Sequence, residues 1–149
     1  RTFSTPDDLL DAVGEQLGTS DWLEITQERV NQFADATDDH QWIHVDPERA
    51  KTGPFGRTIA HGYLTLSLLP VLLRQIYRVE NTSMVINYGL NKVRFPAPVP
   101  VGSRIRATST LSDAKPVDGG VQVELTTTVE VEGGSKPACV AVNVVRIYR

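Results

Sequence analysis

Residues 60–77 read AHGYLTLSLLPVLLRQIY, and the rest of the predicted architecture is built around them. Leucine recurs so often in this stretch, with Tyr63, Val71 and Ile76, that apolar side chains occupy nearly every side of the helix that the stretch predicts. A helix without a polar face is buried on most of its sides. Pro70 removes one backbone hydrogen bond and predicts a kink inside the helix. The stretch therefore predicts one long helix that forms the core.

Four segments after this helix have the alternation or the apolar density of β-strands. They are residues 83–95, 104–111, 121–131 and 138–148. Asp118-Gly119-Gly120 and Gly133-Gly134 lie between them and are typical of hairpin turns. Consecutive strands joined by short turns form an antiparallel sheet. We therefore expect one α+β domain over residues 1–149, a curved antiparallel sheet wrapped around one long buried helix.

Shorter elements precede the central helix. Thr5 and Pro6 begin a predicted helix in which Leu9, Leu10 and Val13 share one face, so residues 1–21 are expected to form a helical extension. The other predicted elements are a strand over 22–25, a helix over 26–37, a loop over 38–45, a short helix from 46, and a turn over 53–56.

Composition limits the classes of function. The chain has 149 residues, 40% hydrophobic and 22% charged, which suits one globular domain. The net charge of −3 and the scattered basic residues argue against a nucleic-acid partner. No apolar run is long enough to span a membrane and no signal-peptide core follows Arg1, so we expect a cytoplasmic protein. The single cysteine, Cys139, excludes an intramolecular disulfide and lies in an apolar run that predicts burial.

The three histidines, His40, His44 and His61, fall within 22 residues. The first two lie in an acidic segment, 38–46, which allows three interpretations. Histidine and aspartate are metal ligands, but two apolar residues interrupt the segment and no cysteine is near, so we expect no metal. A solvated acidic loop with Asp46 as a helix cap is the second interpretation. The third is acid/base chemistry, because a turn between Asp39 and His44 would bring a carboxylate and an imidazole to one water molecule.

His61-Gly62 begins the central helix. Backbone N–H groups at a helix start are unpaired, and a glycine lets a ligand atom approach them closely. A carbonyl oxygen that gains negative charge would be stabilised there. A glycine required only for tight packing is the alternative.

Three blocks of the sequence resemble the MaoC-like dehydratases, also called (R)-specific enoyl-CoA hydratases. The first is Asp39-His40-Gln41-Trp42-Ile43-His44-Val45-Asp46, the second is Ala60-His61-Gly62-Tyr63-Leu64, and the third is the proline-rich run from Val93 to Gly102. The resemblance covers the chain from about Trp22 to the C-terminus.

This resemblance implies the hot-dog fold, a homodimer and the reversible addition of water to a trans-2-enoyl-CoA, giving the (3R)-3-hydroxyacyl-CoA. No cofactor is implied beyond the CoA of the substrate, and acyl-carrier protein is the alternative carrier. Asp39 and His44 would hold and activate the water. The Gly62 N–H would bind the thioester carbonyl, with His61 beside it.

The resemblance also implies binding roles for other residues, for which the sequence motifs are less specific. Tyr63, Asn87, Tyr88 and Pro96 would line the acyl channel, although core packing is an equal interpretation for Tyr63. CoA ends in phosphate groups, so a basic rim is expected at the channel mouth. The candidates in the sequence are Arg57, Lys92 and Arg94, for which ordinary solvated charges are the alternative.

The first block departs from the family at three positions. Asp38 replaces a glycine, Gln41 an asparagine and Trp42 a proline. Loss of the proline removes a preset turn, and the bulky tryptophan would fill that space. The Asp39/His44 pair is intact.

Two other functions compete with the hydratase. A hot-dog thioesterase, or a dehydratase of fatty-acid synthesis, commonly carries a catalytic carboxylate on the long helix. Residues 60–77 contain no Asp or Glu, which argues against both. A non-catalytic acyl-CoA binding module would not need the acid/base pair.

Overall fold

The computed structural model describes all 149 residues. The strands are β1 (Thr2–Phe3), β2 (Gln16–Thr19), β3 (Leu23–Glu24), β4 (Arg78–Val79), β5 (Met84–Arg94), β6 (Arg104–Val117), β7 (Gly120–Val131) and β8 (Cys139–Tyr148). The α-helices are α1 (Gln27–Thr37), α2 (Trp42–Val45), α3 (Pro47–Ala50), α4 (Gly62–Ser67) and α5 (Leu69–Ile76), and Pro6–Asp11 forms a 3₁₀ helix.

The main sheet is antiparallel, in the order β2-β6-β7-β8-β5, with β3 also paired to β6. Gly119 turns the β6–β7 hairpin in the left-handed conformation that glycine tolerates, with φ of +80°. Inward-facing residues such as Leu111, Val123 and Ile147 are fully buried under the helices. The sheet curves around α4 and α5, so the α+β class and the hot-dog arrangement expected from the sequence are confirmed.

The central helix is interrupted, as Pro70 predicted. It stops at Leu68 and resumes as α5, with Pro70 in the first turn, where a missing N–H costs nothing. Leu69, Leu72 and Ile76 are buried against the sheet. The expected burial on nearly all sides is wrong for this single chain, because Tyr63 is 70% exposed and Ser67 and Arg74 also face outward.

The N-terminal segment differs from the purely helical extension that was expected. Its helix is 3₁₀, β1 pairs with β4, and β2 joins the main sheet beside β6. Leu9 is buried, but Val13 lies beyond the helix and is 45% exposed. Because the helix ends at Asp11, Val13 does not share its buried face with Leu9.

The segment 38–45 is not entirely a loop. Residues Trp42–Val45 form the helical turn α2. A helix of four residues is too short to show the apolar spacing from which helices are predicted. The other elements of this half agree with expectation, and Thr26 and Asp46 cap α1 and α3 through their side chains.

Strand β5 is an edge strand whose only partner is β8. Its side chains are almost all exposed, and they include the apolar residues Met84, Val85, Ile86, Tyr88 and Leu90. A long apolar edge is uncommon on an isolated soluble chain. None of the helices combines the length and the apolar character that a bilayer crossing needs.

Candidate active site

Asp39, His44 and His61 come together at the start of α4. One side-chain ligand atom from each lies within 4.8 Å of those of the other two. Two groups at this separation can share one water molecule, since each hydrogen bond spans about 2.8 Å. His44 is buried, whereas the Asp39 side chain is 53% exposed. A water entering from solvent therefore reaches the carboxylate and the imidazole at the same point.

The hydrogen-bond partner of the His44 ring shows which of its two nitrogens carries the hydrogen. Nδ1 lies 2.7 Å from the carbonyl oxygen of Ile59, which can only accept, so Nδ1 carries the hydrogen. In the neutral ring Nε2 is then an acceptor. Burial lowers the pKa of His44 below its ordinary value of 6.5, with the nearby His61 acting in the same direction and the Ile59 bond and Asp39 opposing it. His44 is thus a neutral base at physiological pH.

His61 packs behind this pair. Its ring is stacked on that of His44, with 3.8 Å between centroids, and its Nε2 donates to the backbone oxygen of Asp39 over 3.0 Å. Its Nδ1 is buried and has no hydrogen-bond partner. These contacts indicate that His61 holds the main chain of Asp39 in place.

Two of the three departures from the family pattern, Asp38 and Trp42, have a structural explanation. Asp38 ends α1 with φ of +59°, the left-handed conformation in which a glycine is the usual residue and aspartate is tolerated. Trp42 occupies the first position of α2, lies against Gly53 and is covered by the guanidinium of Arg49 at 4.3 Å. Gln41 is exposed and its side chain makes no hydrogen bond.

Gln27 is a site-positioning residue that the sequence pattern did not single out. Its Nε2 donates to the backbone oxygen of His44 over 2.8 Å, and its Oε1 accepts from the Thr58 hydroxyl over 2.6 Å. Ile59, the next residue after Thr58, binds the His44 ring and also donates its N–H to Ile43. Gln27 therefore joins the two segments that hold the imidazole. Its position one residue after the Thr26 cap gave no sequence signal for this role.

We expect Gln27→Met to lower kcat about tenfold with little change in KM. The substitution preserves length but removes three hydrogen bonds, and it leaves the His44 oxygen and the Thr58 hydroxyl without their Gln27 partner. Steady-state kinetics of the hydration that the family resemblance implies would measure this. Asn31→Ala, which removes only the third partner of Gln27, is the matched control. Equal kcat for Gln27→Met and wild type would contradict the positioning role.

Gly62 lies at the mouth of a pocket of about 360 Å³. His44, Thr65, Phe95 and Pro96 also line it. No protein group accepts a hydrogen bond from the Gly62 N–H, since the first amides of a helix have no partner within it. A Cβ at Gly62 would lie 3.0 Å from the Phe95 ring, so the pocket is closed on that side.

We expect Gly62→Ala to lower kcat/KM about tenfold without loss of thermal stability. The added methyl must displace Phe95 and obstructs access to the amide, while alanine favours the helix. Kinetics together with a thermal melt would separate the two effects. The double variant Gly62→Ala/Phe95→Leu should recover part of the activity. If it does not, crowding of Phe95 by the added methyl is not the cause of the loss.

This pocket and a second cavity lie one after the other along the open side of the helix, and together they are called the groove below. Gly62, Thr65, Leu69 and Leu73 recur at helical spacing on one face, and the last two line the second cavity, of about 420 Å³. The opposite wall is formed by β8 and β5, including Asn87. The two cavities therefore follow one another between the helix and the sheet edge.

The remaining candidates lie at varied distances from this groove. Tyr63 is exposed and meets Phe95 edge to face, and Tyr88 packs under the guanidinium of Arg146 rather than into either cavity. Pro96 lines the pocket beside Gly62. His40 bonds Asp35 over 2.8 Å and does not join the cluster.

The three basic candidates are exposed. None of Arg57, Lys92 and Arg94 forms a salt bridge, and the two arginines donate only to backbone oxygens. Their charges are therefore free for an anionic partner.

The spacing of Asp39, His44 and His61 is also that of a metal-ligand set. However, the His61 nitrogen that faces the Asp39 carboxylate is Nε2, at 4.0 Å, and this nitrogen already donates to the Asp39 backbone oxygen. The two rings are stacked with 22° between their planes, so their in-plane lone pairs run side by side rather than converge. The arrangement fits an acid/base pair better than a metal centre.

Comparison with known proteins identifies the family. The family profile described as MaoC like domain matches residues 8–133. A 3-hydroxyacyl-thioester dehydratase Z from Mycobacterium tuberculosis is 65% identical over 147 residues, covering 98% of this chain and 97% of that protein.

Two solved structures are also similar. An (R)-hydratase from A. caviae involved in PHA biosynthesis is 28% identical, with a TM-score of 0.73 over 89% of this chain and 94% of that chain. A monoamine oxidase regulatory protein from Archaeoglobus is 25% identical, with a TM-score of 0.78 over 100% of this chain and 97% of that chain. Since the profile and the mycobacterial relative each match most of the sequence, the protein belongs to the MaoC-like dehydratase family.

Proposed function

We propose that the protein is an (R)-specific enoyl-CoA hydratase, which reversibly adds water to a trans-2-enoyl-CoA and gives the (3R)-3-hydroxyacyl-CoA. The observation that carries the proposal is the meeting of Asp39 and His44 at one water position beside the Gly62 amide. The names of the mycobacterial dehydratase and the A. caviae (R)-hydratase support it.

The first step is attack by water. Asp39 accepts one hydrogen bond from the water, and Nε2 of neutral His44 accepts the proton that is removed. The water oxygen forms a bond to the β-carbon while the double-bond electrons move into the thioester carbonyl, giving an enolate. The Ile59 carbonyl stabilises the imidazolium through Nδ1–H.

The second step returns a proton. The enolate oxygen accepts a hydrogen bond from the Gly62 N–H, which has no partner in the protein. A proton from the Asp39/His44 pair then reaches the α-carbon and the carbonyl re-forms. One water is added, no proton is gained or lost, and no cofactor takes part.

The acyl chain lies in the groove beyond Gly62, along Leu69 and Leu73, because this is the apolar path that leads away from the reacting carbonyl. Asn87 lies on its wall, and Pro96 lines the pocket at its start. Tyr63 and Tyr88 approach the acyl channel only from its rim. Arg57, Lys92 and Arg94 carry the unpaired charges available to the CoA phosphates.

The active form is a homodimer in this proposal. A second copy covers the exposed apolar edge of β5, which otherwise remains open to solvent. Val85→Lys should then yield monomer in sedimentation velocity, whereas Asp118→Lys, in the exposed β6–β7 turn, should not. A wild-type monomer at micromolar concentration would contradict the dimer.

The deciding experiment follows the loss of the conjugated-enoyl absorbance of crotonyl-CoA. Hydration should be rapid, and an (S)-specific 3-hydroxyacyl-CoA dehydrogenase should not oxidise the product. Oxidation by that enzyme would overturn the stereochemistry. Absence of hydration by folded dimer with short and long enoyl-CoAs would overturn the hydratase, and release of free thiol would instead identify a thioesterase.

A further inference from the structure

Three buried polar side chains form a chain across the inner face of the sheet. The Ser109 and Thr127 hydroxyls are 3.1 Å apart, and the Thr127 hydroxyl donates to Oδ1 of Asn143 over 3.1 Å. Ser109 and Thr127 are fully buried and Asn143 is 8% exposed. Their neighbours on the same strands, such as Leu125 and Val145, are apolar core residues. Polar groups are costly in such a position unless they serve a purpose or are fully paired.

Asn143 is the member that reaches the groove. It lines the 420 Å³ cavity together with Leu66, Leu69 and Leu90. Its Oδ1 is bound to Thr127, but its amide nitrogen has no hydrogen-bond partner in the protein. An alkyl chain in the groove would cover this nitrogen and leave two N–H donors unpaired, which disfavours binding.

We propose that Asn143 is a specificity residue that donates a hydrogen bond to an oxygen substituent, a hydroxyl or a carbonyl, on the acyl chain of the substrate. This rests on the proposed hydratase function and names its substrate class. Thr127 and Ser109 hold the carboxamide so that the nitrogen faces the groove. The site distinguishes acyl chains with the oxygen from those without it. A chain without the oxygen removes water from the Asn143 amide but forms no hydrogen bond with it.

The fold sets where the oxygen must lie. Seven helical residues from Gly62 to Leu69 span about 10 Å. Five strand residues from Ala138, in the first pocket, to Asn143 span about 16 Å. An extended chain advances about 1.2 Å per bond, as the peptide backbone does. The oxygen is therefore expected about eight to thirteen bonds from the thioester carbonyl carbon.

The test compares matched substrate pairs. The trans-2-enoyl-CoAs of eight, ten and twelve carbons are each assayed with and without a terminal hydroxyl. Wild type should prefer the hydroxylated member at one of these lengths by about tenfold in kcat/KM, the value of one net hydrogen bond. No preference at any length would overturn the proposal. Hydration of crotonyl-CoA in the same assays tests the hydratase function separately, because this short chain cannot reach Asn143.

Variants test whether the Asn143 amide causes the preference for the hydroxylated substrate. Asn143→Leu should abolish the ratio between the two members of the preferred pair by lowering the rate with the hydroxylated one and raising the rate with the plain one. Thr127→Val should reduce the ratio in part, because the carboxamide loses its orienting bond. Thr128→Val, on the opposite face of β7, should leave the ratio unchanged. A ratio that survives in folded Asn143→Leu would overturn the assignment.

Discussion

Replacing Asp39 by Asn is expected to lower kcat for hydration by two to four powers of ten, roughly the contribution of one acid/base group. The amide keeps the shape of the side chain and leaves the backbone oxygen bonded to His61, so the loop stays in place. What is lost is the anionic acceptor that orients the water and that raises the pKa of His44, which favours proton transfer to Nε2. The measurement is the decay of enoyl absorbance, with KM expected to change little.

The matched control for Asp39→Asn is Asp35→Asn. Asp35 lies four residues earlier on α1, is exposed and pairs only with His40. Its removal should leave kcat within about twofold, because exposed ion pairs contribute little. Activity of Asp39→Asn within threefold of wild type would contradict the proposed role of the carboxylate.

Replacing His44 by Gln is expected to cause a loss of similar size, roughly two to four powers of ten in kcat. The glutamine amide cannot take the proton that Nε2 accepts in the proposed mechanism. His40→Gln is the control, because His40 is exposed and lies outside the cluster. If both histidine variants lost activity equally, the effect would lie in the loop as a whole and not in the His44 base.

The same residue predicts the acid side of the pH profile. His44 must be neutral to accept a proton, so activity falls as pH falls through its pKa. Burial lowers that pKa, so the acid limb of kcat/KM should lie below pH 6.5. Asp39 raises the pKa of His44, and the residual activity of Asp39→Asn should therefore decline at still lower pH. An acid limb above pH 6.5 would contradict the neutral-base assignment.

The architecture could be predicted from the amino-acid sequence. The apolar stretch 60–77 predicts a central helix with a buried face, and the glycine turns between alternating segments predict antiparallel hairpins. Both patterns are local, since they depend on residues close together in the sequence. The interruption near Pro70 and the strands β5 to β8 were therefore predictable. Asp39, His44 and Gly62 were identifiable as candidates because their spacing resembles a family pattern.

How these groups work depends on contacts that form only in the folded protein. The Nδ1 proton of His44 is set by the carbonyl of Ile59, which lies 15 residues away. Gln27 contacts His44 from a separate helix, and the exposure of Tyr63 depends on the side of α4 that the sheet leaves open.

The acyl path likewise follows from the fold, because Asn143 reaches Leu69 and Leu90 only when β8 lies between β7 and β5. Contacts between residues distant in sequence carry no periodic signal along the chain. The packing of the sheet against the helix therefore creates the site, and the local pattern supplies only its parts.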